Sequence, residues 1–152
     1  MGSWEWAGLT FRGLYQRAER GARERLEAAA AVLAEAGIVV EQVVVSGRCA
    51  EEIVRTADGH DCGLIMMSTY GRNALARDIL GSVTDAVAHS AHTPVLTLTP
   101  DRAKTYHGED STLNSVLVAL DGSELAETVL PYVIDLASRL SLEILAVRVV
   151  PP

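Results

Sequence analysis

Two short loops hold the residues of this 152-residue chain best suited to binding a ligand, the first of them an anion. The first is Ser68-Thr69-Tyr70-Gly71, followed after nine residues by Gly81-Ser82. Gly71 lets the backbone approach a ligand closely or turn with positive φ. Gly81-Ser82 stands where a helix is predicted to open, and the free N–H groups and dipole of such an end favour a phosphate. The hydroxyls of Ser68, Thr69 and Ser82 add donors, and Arg72 adds charge. The same residues also read without any ligand: Ser82 as an N-cap worth about 1 kcal/mol, Gly71 as a turn residue. The second loop is Ala119-Leu120-Asp121-Gly122-Ser123. A carboxylate at the carboxyl end of a strand, directly before a helix, suits a ribose hydroxyl or a divalent ion. It equally suits the positive end of the helix dipole.

The elements that would hold these loops follow from periodicity. Residues 1–13 read as irregular, with Trp4, Trp6 and Phe11 packing on another part of the protein. Leu14, Ala18, Ala22, Leu26, Ala29, Leu33 and Ala36 recur at three or four, which predicts a long helix over 14–36 ended by Gly37. The run IVVEQVVV, 38–45, predicts a buried strand. A short helix over 50–57, a strand over 64–67, a helical turn with Leu75, Ile79 and Leu80, a helix over 83–91 opened by a Ser82–Asp85 capping box, and a strand over 95–99 follow. Residues 101–114 read as a polar linker. A strand over 115–120, one helix of about 124–140 and a strand over 143–150 complete the chain. Five strands alternating with helices indicate an α/β fold with a mainly parallel sheet, whose ligands sit beyond the carboxyl ends of the strands.

Composition narrows the chemistry. Hydrophobic residues make up 49% and aromatic residues 5%, the Ala, Val and Leu bias of parallel sheets covered by helices. A net charge of -7 argues against nucleic acid. Lys104 is the single lysine, so no P-loop is present and an anionic ligand relies on backbone N–H groups, an arginine or a metal. Cys49 and Cys62 match no metal or redox spacing and read as small buried hydrophobes. Glu27, Glu35 and Glu41 interrupt the apolar stretch 26–45, which excludes a membrane span there. Without a signal-peptide pattern at the start, the expected location is cytoplasmic.

The segments MSTYGRNALARDILGSVTDAVAHSAHTPVLTLTP and SVLVALDGSELAETVLPYVIDLASRLSLEILAVRVVPP resemble the universal stress protein family, and the resemblance covers about residues 14–150. It implies a Rossmann-like sheet ordered 3-2-1-4-5 and a tendency to dimerise. One branch of the family binds ATP through a Gly-x2-Gly-x9-Gly-Ser/Thr motif. On this chain the first glycine of that motif is Ser68, the second Gly71 and the third Gly81, followed by Ser82. The resemblance further implies nucleotide contacts at Arg72, Val83, Ala119 and Asp121, with Val149 against the adenine. ATP is the implied cofactor, with Mg or Mn held through Asp121. The side chain of Ser68 either narrows the phosphate approach or supplies a hydrogen bond.

The order of parts is inverted relative to that family. Residues 14–100 resemble the later part of one domain, 101–114 a linker, and 115–152 the opening strand-helix-strand of a domain. The chain thus resembles the middle of a tandem member. The opening unit, placed last, either folds back in cis as a circular permutant or is exchanged between two chains. Fourteen linker residues span roughly 46 Å at most, so length permits both, and the exchanged homodimer is the expectation. Three functional readings compete: a nucleotide-binding regulatory protein with at most slow hydrolysis, a nucleotide-free dimeric interaction module, and an enzyme of the related adenine-nucleotide-processing group. No general base suggests itself, because His60, His89, His92 and His107 lie away from both loops; no catalytic residue is assigned, and the enzyme reading is the weakest.

Overall fold

The computed structural model describes residues 3–69, 81–99 and 113–150, with residues 3–12 described by their backbone alone. The chain divides into two compact units, a leading unit Met1–Thr97 and a trailing unit Leu98–Pro152. The predicted turn at Leu75, Ile79 and Leu80 and nearly all of the linker 101–114 lie outside the described residues.

Helix α1 spans Ser3–Glu35. It takes in most of the stretch expected to be irregular. No proline precedes Pro94, so nothing in that stretch removes a helix donor or clashes with a preceding turn. The helix ends in a Schellman motif: Ile38 N–H donates to the Leu33 carbonyl (3.1 Å) and Gly37 N–H to that of Ala34 (2.9 Å). Gly37 takes φ +77°, a left-handed conformation that suits glycine. The run 38–45 that follows belongs to no strand and is mostly exposed, Val39 at 98%. β-Branched residues favour a pleated surface but supply no ladder; a strand needs a neighbouring edge, and the described strands pair only with one another.

Helix α2 (Cys49–Gly59), strand β1 (Ile65–Ser68), helix α3 (Ser82–Ser90) and strand β2 (Val95–Leu98) form the packed part of the leading unit. Strands β1 and β2 pair in a two-stranded sheet. Ala57, Ile65 and Val87 make its core, with Ile53, Val54 and Met67 against them. Both cysteines are exposed, contrary to the expected burial. Cys49 opens α2 and Cys62 lies beyond its end, so neither occupies the inward face.

In the trailing unit, β3 (Ser115–Ala119) and β4 (Glu143–Val147) are parallel neighbours, in register from Ser115 opposite Glu143 to Ala119 opposite Val147. The expected single helix between them is two: α4 (Glu124–Glu127) and α5 (Leu130–Leu140). Pro131 explains the break, because it has no N–H for the Glu127 carbonyl and its ring crowds that carbonyl. Helix α5 packs on β3, with Val118, Val133 and Ala137 buried. Ser141 closes α5 in the left-handed region at φ +55°, while Leu142 N–H reaches the Ala137 carbonyl at 2.9 Å. Ser141→Gly is therefore expected to raise stability by about 1 kcal/mol, read as a higher urea midpoint at unchanged slope. A lower midpoint would count against this account of the cap.

The described strands thus form two two-stranded sheets, not one five-stranded sheet. The α/β class and the parallel strand pair stand.

Candidate nucleotide-binding loops

Each unit brings together part of the expected site. In the leading unit, Gly81 N–H donates to the Thr69 carbonyl (2.9 Å) and the Thr84 hydroxyl to the Ser68 carbonyl (3.2 Å). These bonds fasten the amino end of α3 to the carboxyl end of β1. Gly81 is the N-cap: its carbonyl accepts from Asp85 N–H at 2.9 Å. Ser82 is therefore inside the helix, one residue past the expected capping position, and no side chain caps α3 from Gly81. Ser82 and Val83 are exposed in the first turn. Beside them Thr69 is buried, and its hydroxyl oxygen has no hydrogen-bond partner. A buried hydroxyl without a partner is costly, and one beside an open helix terminus suits an incoming oxyanion. Ser68 is exposed. Gly71 and Arg72 lie outside the described residues.

Gly81 matters through space rather than conformation. Its φ is -56°, which any residue adopts, but a Cβ there would stand 2.6 Å from the Thr69 carbonyl oxygen.

In the trailing unit, a cleft of about 270 Å³ opens at the carboxyl ends of β3 and β4. It is lined by Ala119, Leu120, Asp121, Ala126, Val147 and Val149. Three of these, Ala119, Asp121 and Val149, are expected site residues. Val147 and Val149 face the cleft together because alternate residues of an extended chain share a side. That spacing was legible beforehand, whereas Ala126 enters only through the position of α4. The volume lies just below the roughly 300–1,000 Å³ of complete small-molecule sites.

Asp121 is fully exposed, and Ser123 holds its carboxyl below the ordinary aspartate value, first through the hydroxyl and then through the backbone N–H. That N–H donates to Asp121 Oδ1 at 2.8 Å. Because the folded-state value is lowered, the stability this group contributes is complete above the ordinary value of 3.8 and is lost as pH falls through the folded-state value. Asp121→Asn is expected to flatten the acid limb of the stability curve below about pH 4; an unchanged limb would show that the pairing carries no linkage. The Ser123 hydroxyl oxygen also accepts from Ala126 N–H (3.1 Å) as the N-cap of α4. Ser123→Ala is expected to cost about 1 kcal/mol, read by urea denaturation.

Four contributors escape the sequence reading: Ala126 and Val147 in the cleft wall, the Thr84 hydroxyl, and Arg148, whose guanidinium lies over Gly122. Among the described residues no group of three or more His, Cys, Asp or Glu side chains is placed to hold a metal ion. No helix among them is long and apolar enough to cross a membrane.

Parallel strands joined by helices, with candidate loops at the strand carboxyl ends, define an α/β protein. Comparison with known proteins makes the assignment narrower. The profile described as the universal stress protein family matches residues 3–99, and the chain belongs to that family. It is 34% identical over 89 residues to a universal stress protein of Mycobacterium tuberculosis, a match covering 59% of this chain and 29% of that protein. It is 34% identical over 95 residues to one of Methanocaldococcus jannaschii, covering 62% of this chain and 52% of that protein. A universal stress protein of Mycolicibacterium smegmatis is 26% identical over 140 residues, covering 86% of this chain and 44% of its own length. The chain thus spans only about a third to a half of the length of these relatives. No solved structure gives a significant match.

Proposed function

We propose that this protein is a nucleotide-binding regulatory member of the universal stress protein family, taking ATP with a divalent ion. The observation that carries the reading is the amino end of α3: among the described residues it has no side-chain cap, and beside it the buried hydroxyl of Thr69 has no hydrogen-bond partner. Phosphate oxygens accept hydrogen bonds, and this terminus offers the N–H groups of Ser82 and Val83 together with that hydroxyl. Gly71 and Arg72 complete the loop in this reading. In this reading the cleft of the trailing unit offers apolar walls for a base and the Asp121 carboxylate for a ribose hydroxyl or the ion. When bound, the ion neutralises phosphate charge. The role is binding rather than turnover, in the cytoplasm, with no nucleic-acid or membrane partner. The complete sheet in this reading is five-stranded and ordered 3-2-1-4-5, with the run 38–45 as its third strand.

Native mass spectrometry of the purified protein, with thermal unfolding in Mg-ATP, tests the proposal. Bound nucleotide is expected, and saturation at a hundred times Kd adds about 2.7 kcal/mol of stability. Protein that carries no nucleotide and shows no thermal shift overturns it. One observation favours a second reading, a nucleotide-free interaction module: Ser68 stands where the ATP-binding motif begins with glycine. Comparison of the wild type with Ser68→Gly separates the two, since the first reading expects ATP binding by both, tighter in the variant, and the second expects none by the wild type.

A further inference from the structure

The described part of the trailing unit carries Arg139 and Arg148 against Asp121, Glu124, Glu127, Asp135 and Glu143. Arg139 is held by Asp135, its Nε donating to both carboxylate oxygens at 2.8 Å. Arg148 is exposed and forms no ion pair among the described residues. An acidic surface repels anions, so Arg148 is the side chain of this unit fit to hold a phosphate.

The sheet fixes its place. Beyond the last ladder pair, Ala119 opposite Val147, Leu120 N–H still donates to the Val147 carbonyl at 2.9 Å. The chain at Arg148 therefore runs beside the loop that begins at Leu120, between the cleft residues Val147 and Val149. A Cβ on Gly122 would stand 2.9 Å from one terminal guanidinium nitrogen, 3.1 Å from the central carbon and 3.2 Å from the other nitrogen. Three such similar distances mean that the face of the group, more than its edge, covers the glycine. The N–H donors lie in the plane of the guanidinium, so they point past the turn rather than into it. The neighbouring Asp121 carboxylate is turned to its own loop, Oδ1 accepting from Ser123 N–H at 2.8 Å.

An acceptor and a fork of donors thus stand on consecutive residues of one cleft mouth without pairing with each other. A ribose that bears a phosphate complements both: its hydroxyls donate to a carboxylate, and its phosphate oxygens accept from a planar guanidinium. We infer that Arg148 selects a ligand whose ribose carries a phosphate ester, and so nucleotides over nucleosides. On the nucleotide reading above, on which this rests, Asp121 engages the sugar hydroxyls and Arg148 the phosphate esterified to the same sugar. A phosphate on the 5′, 3′ or 2′ oxygen presents this chemistry, and the ligands of the test tell them apart.

Titration calorimetry of the full chain with adenosine, its 5′-, 3′- and 2′-monophosphates and ATP tests the assignment. At least one monophosphate is expected to bind about tenfold or more tightly than adenosine, the effect of one hydrogen-bonded charge pair. The isomer that leads shows which oxygen carries the phosphate. Arg148→Gln is expected to remove that preference, leaving the ratio to adenosine near one. Arg148→Lys keeps the charge but loses the fork, and its ratio is expected to fall between. Arg148 is exposed, so neither substitution opens a cavity, and circular dichroism checks that both variants keep their helices. A wild type that binds ATP but prefers no monophosphate to adenosine, or a preference that survives Arg148→Gln, overturns the role of Arg148 and leaves the nucleotide reading standing. A wild type that binds neither ATP nor any of the other four compounds overturns the nucleotide reading and the role of Arg148 with it.

Discussion

Gly81→Ala is expected to destabilise the leading unit by about 1–3 kcal/mol and to weaken ATP binding at least tenfold. An ordinary explanation through backbone freedom fails, because φ at Gly81 is -56°. The added Cβ instead meets the Thr69 carbonyl oxygen at 2.6 Å, the same oxygen that accepts from Gly81 N–H at 2.9 Å. That oxygen is backbone and cannot rotate away. Its neighbour, the Ser68 carbonyl, is engaged by the Thr84 hydroxyl, so relief separates α3 from β1 and moves the N–H groups of Ser82 and Val83 with it. Gly81→Ser sharpens the point. Serine is a better N-cap than alanine, yet the same Cβ clash should leave it below wild type. Urea denaturation of both variants checks the order; wild-type stability in Gly81→Ala would show that the junction yields freely. Gly81→Asp carries the same clash and is no selective probe of binding.

Gly122→Ala is expected to cost about 1–2 kcal/mol, for a different reason. Its φ of +87° is one that side chains avoid. The new Cβ would also stand 2.9 Å from the Arg148 guanidinium, but that is the far end of a flexible side chain and can swing aside. The cost is thus chiefly conformational. Arg148→Ala placed on top should recover only a small part of it, whereas Gly122→Asn should be milder than Gly122→Ala because asparagine tolerates positive φ better. Full recovery in the Gly122→Ala, Arg148→Ala pair would reverse that ranking. Since Asp121 immediately precedes this turn and its carboxylate accepts from Ser123 N–H, the same substitution is expected to loosen the cleft mouth and lower nucleotide affinity.

These two glycines show how unevenly the site was legible. Gly122 sits in an Asp-Gly-Ser loop between a strand and a helix, and local chemistry suffices to read its turn. Gly81 looks like a helix-terminus residue in sequence, and only the approach of the Thr69 carbonyl, twelve positions earlier, reveals why a side chain cannot stand there. Similarly, the break at Pro131 follows from a missing donor, while the exposure of Cys49 and Cys62 depends on where α2 begins and ends.

What the sequence by itself determined is the set of local elements and their family. Apolar runs, a capping signal and turn residues mark β1, α3, β3 and β4 to within a few residues, and the two motif-bearing segments point to the universal stress proteins, whose profile matches residues 3–99. What only the tertiary structure decided is which elements find partners. The run 38–45 has strand composition and yet no ladder, because a strand exists only where another edge meets it. The hydroxyl of Thr69 has polar chemistry and yet no partner, because burial and hydrogen bonding are properties of the surroundings rather than of the residue.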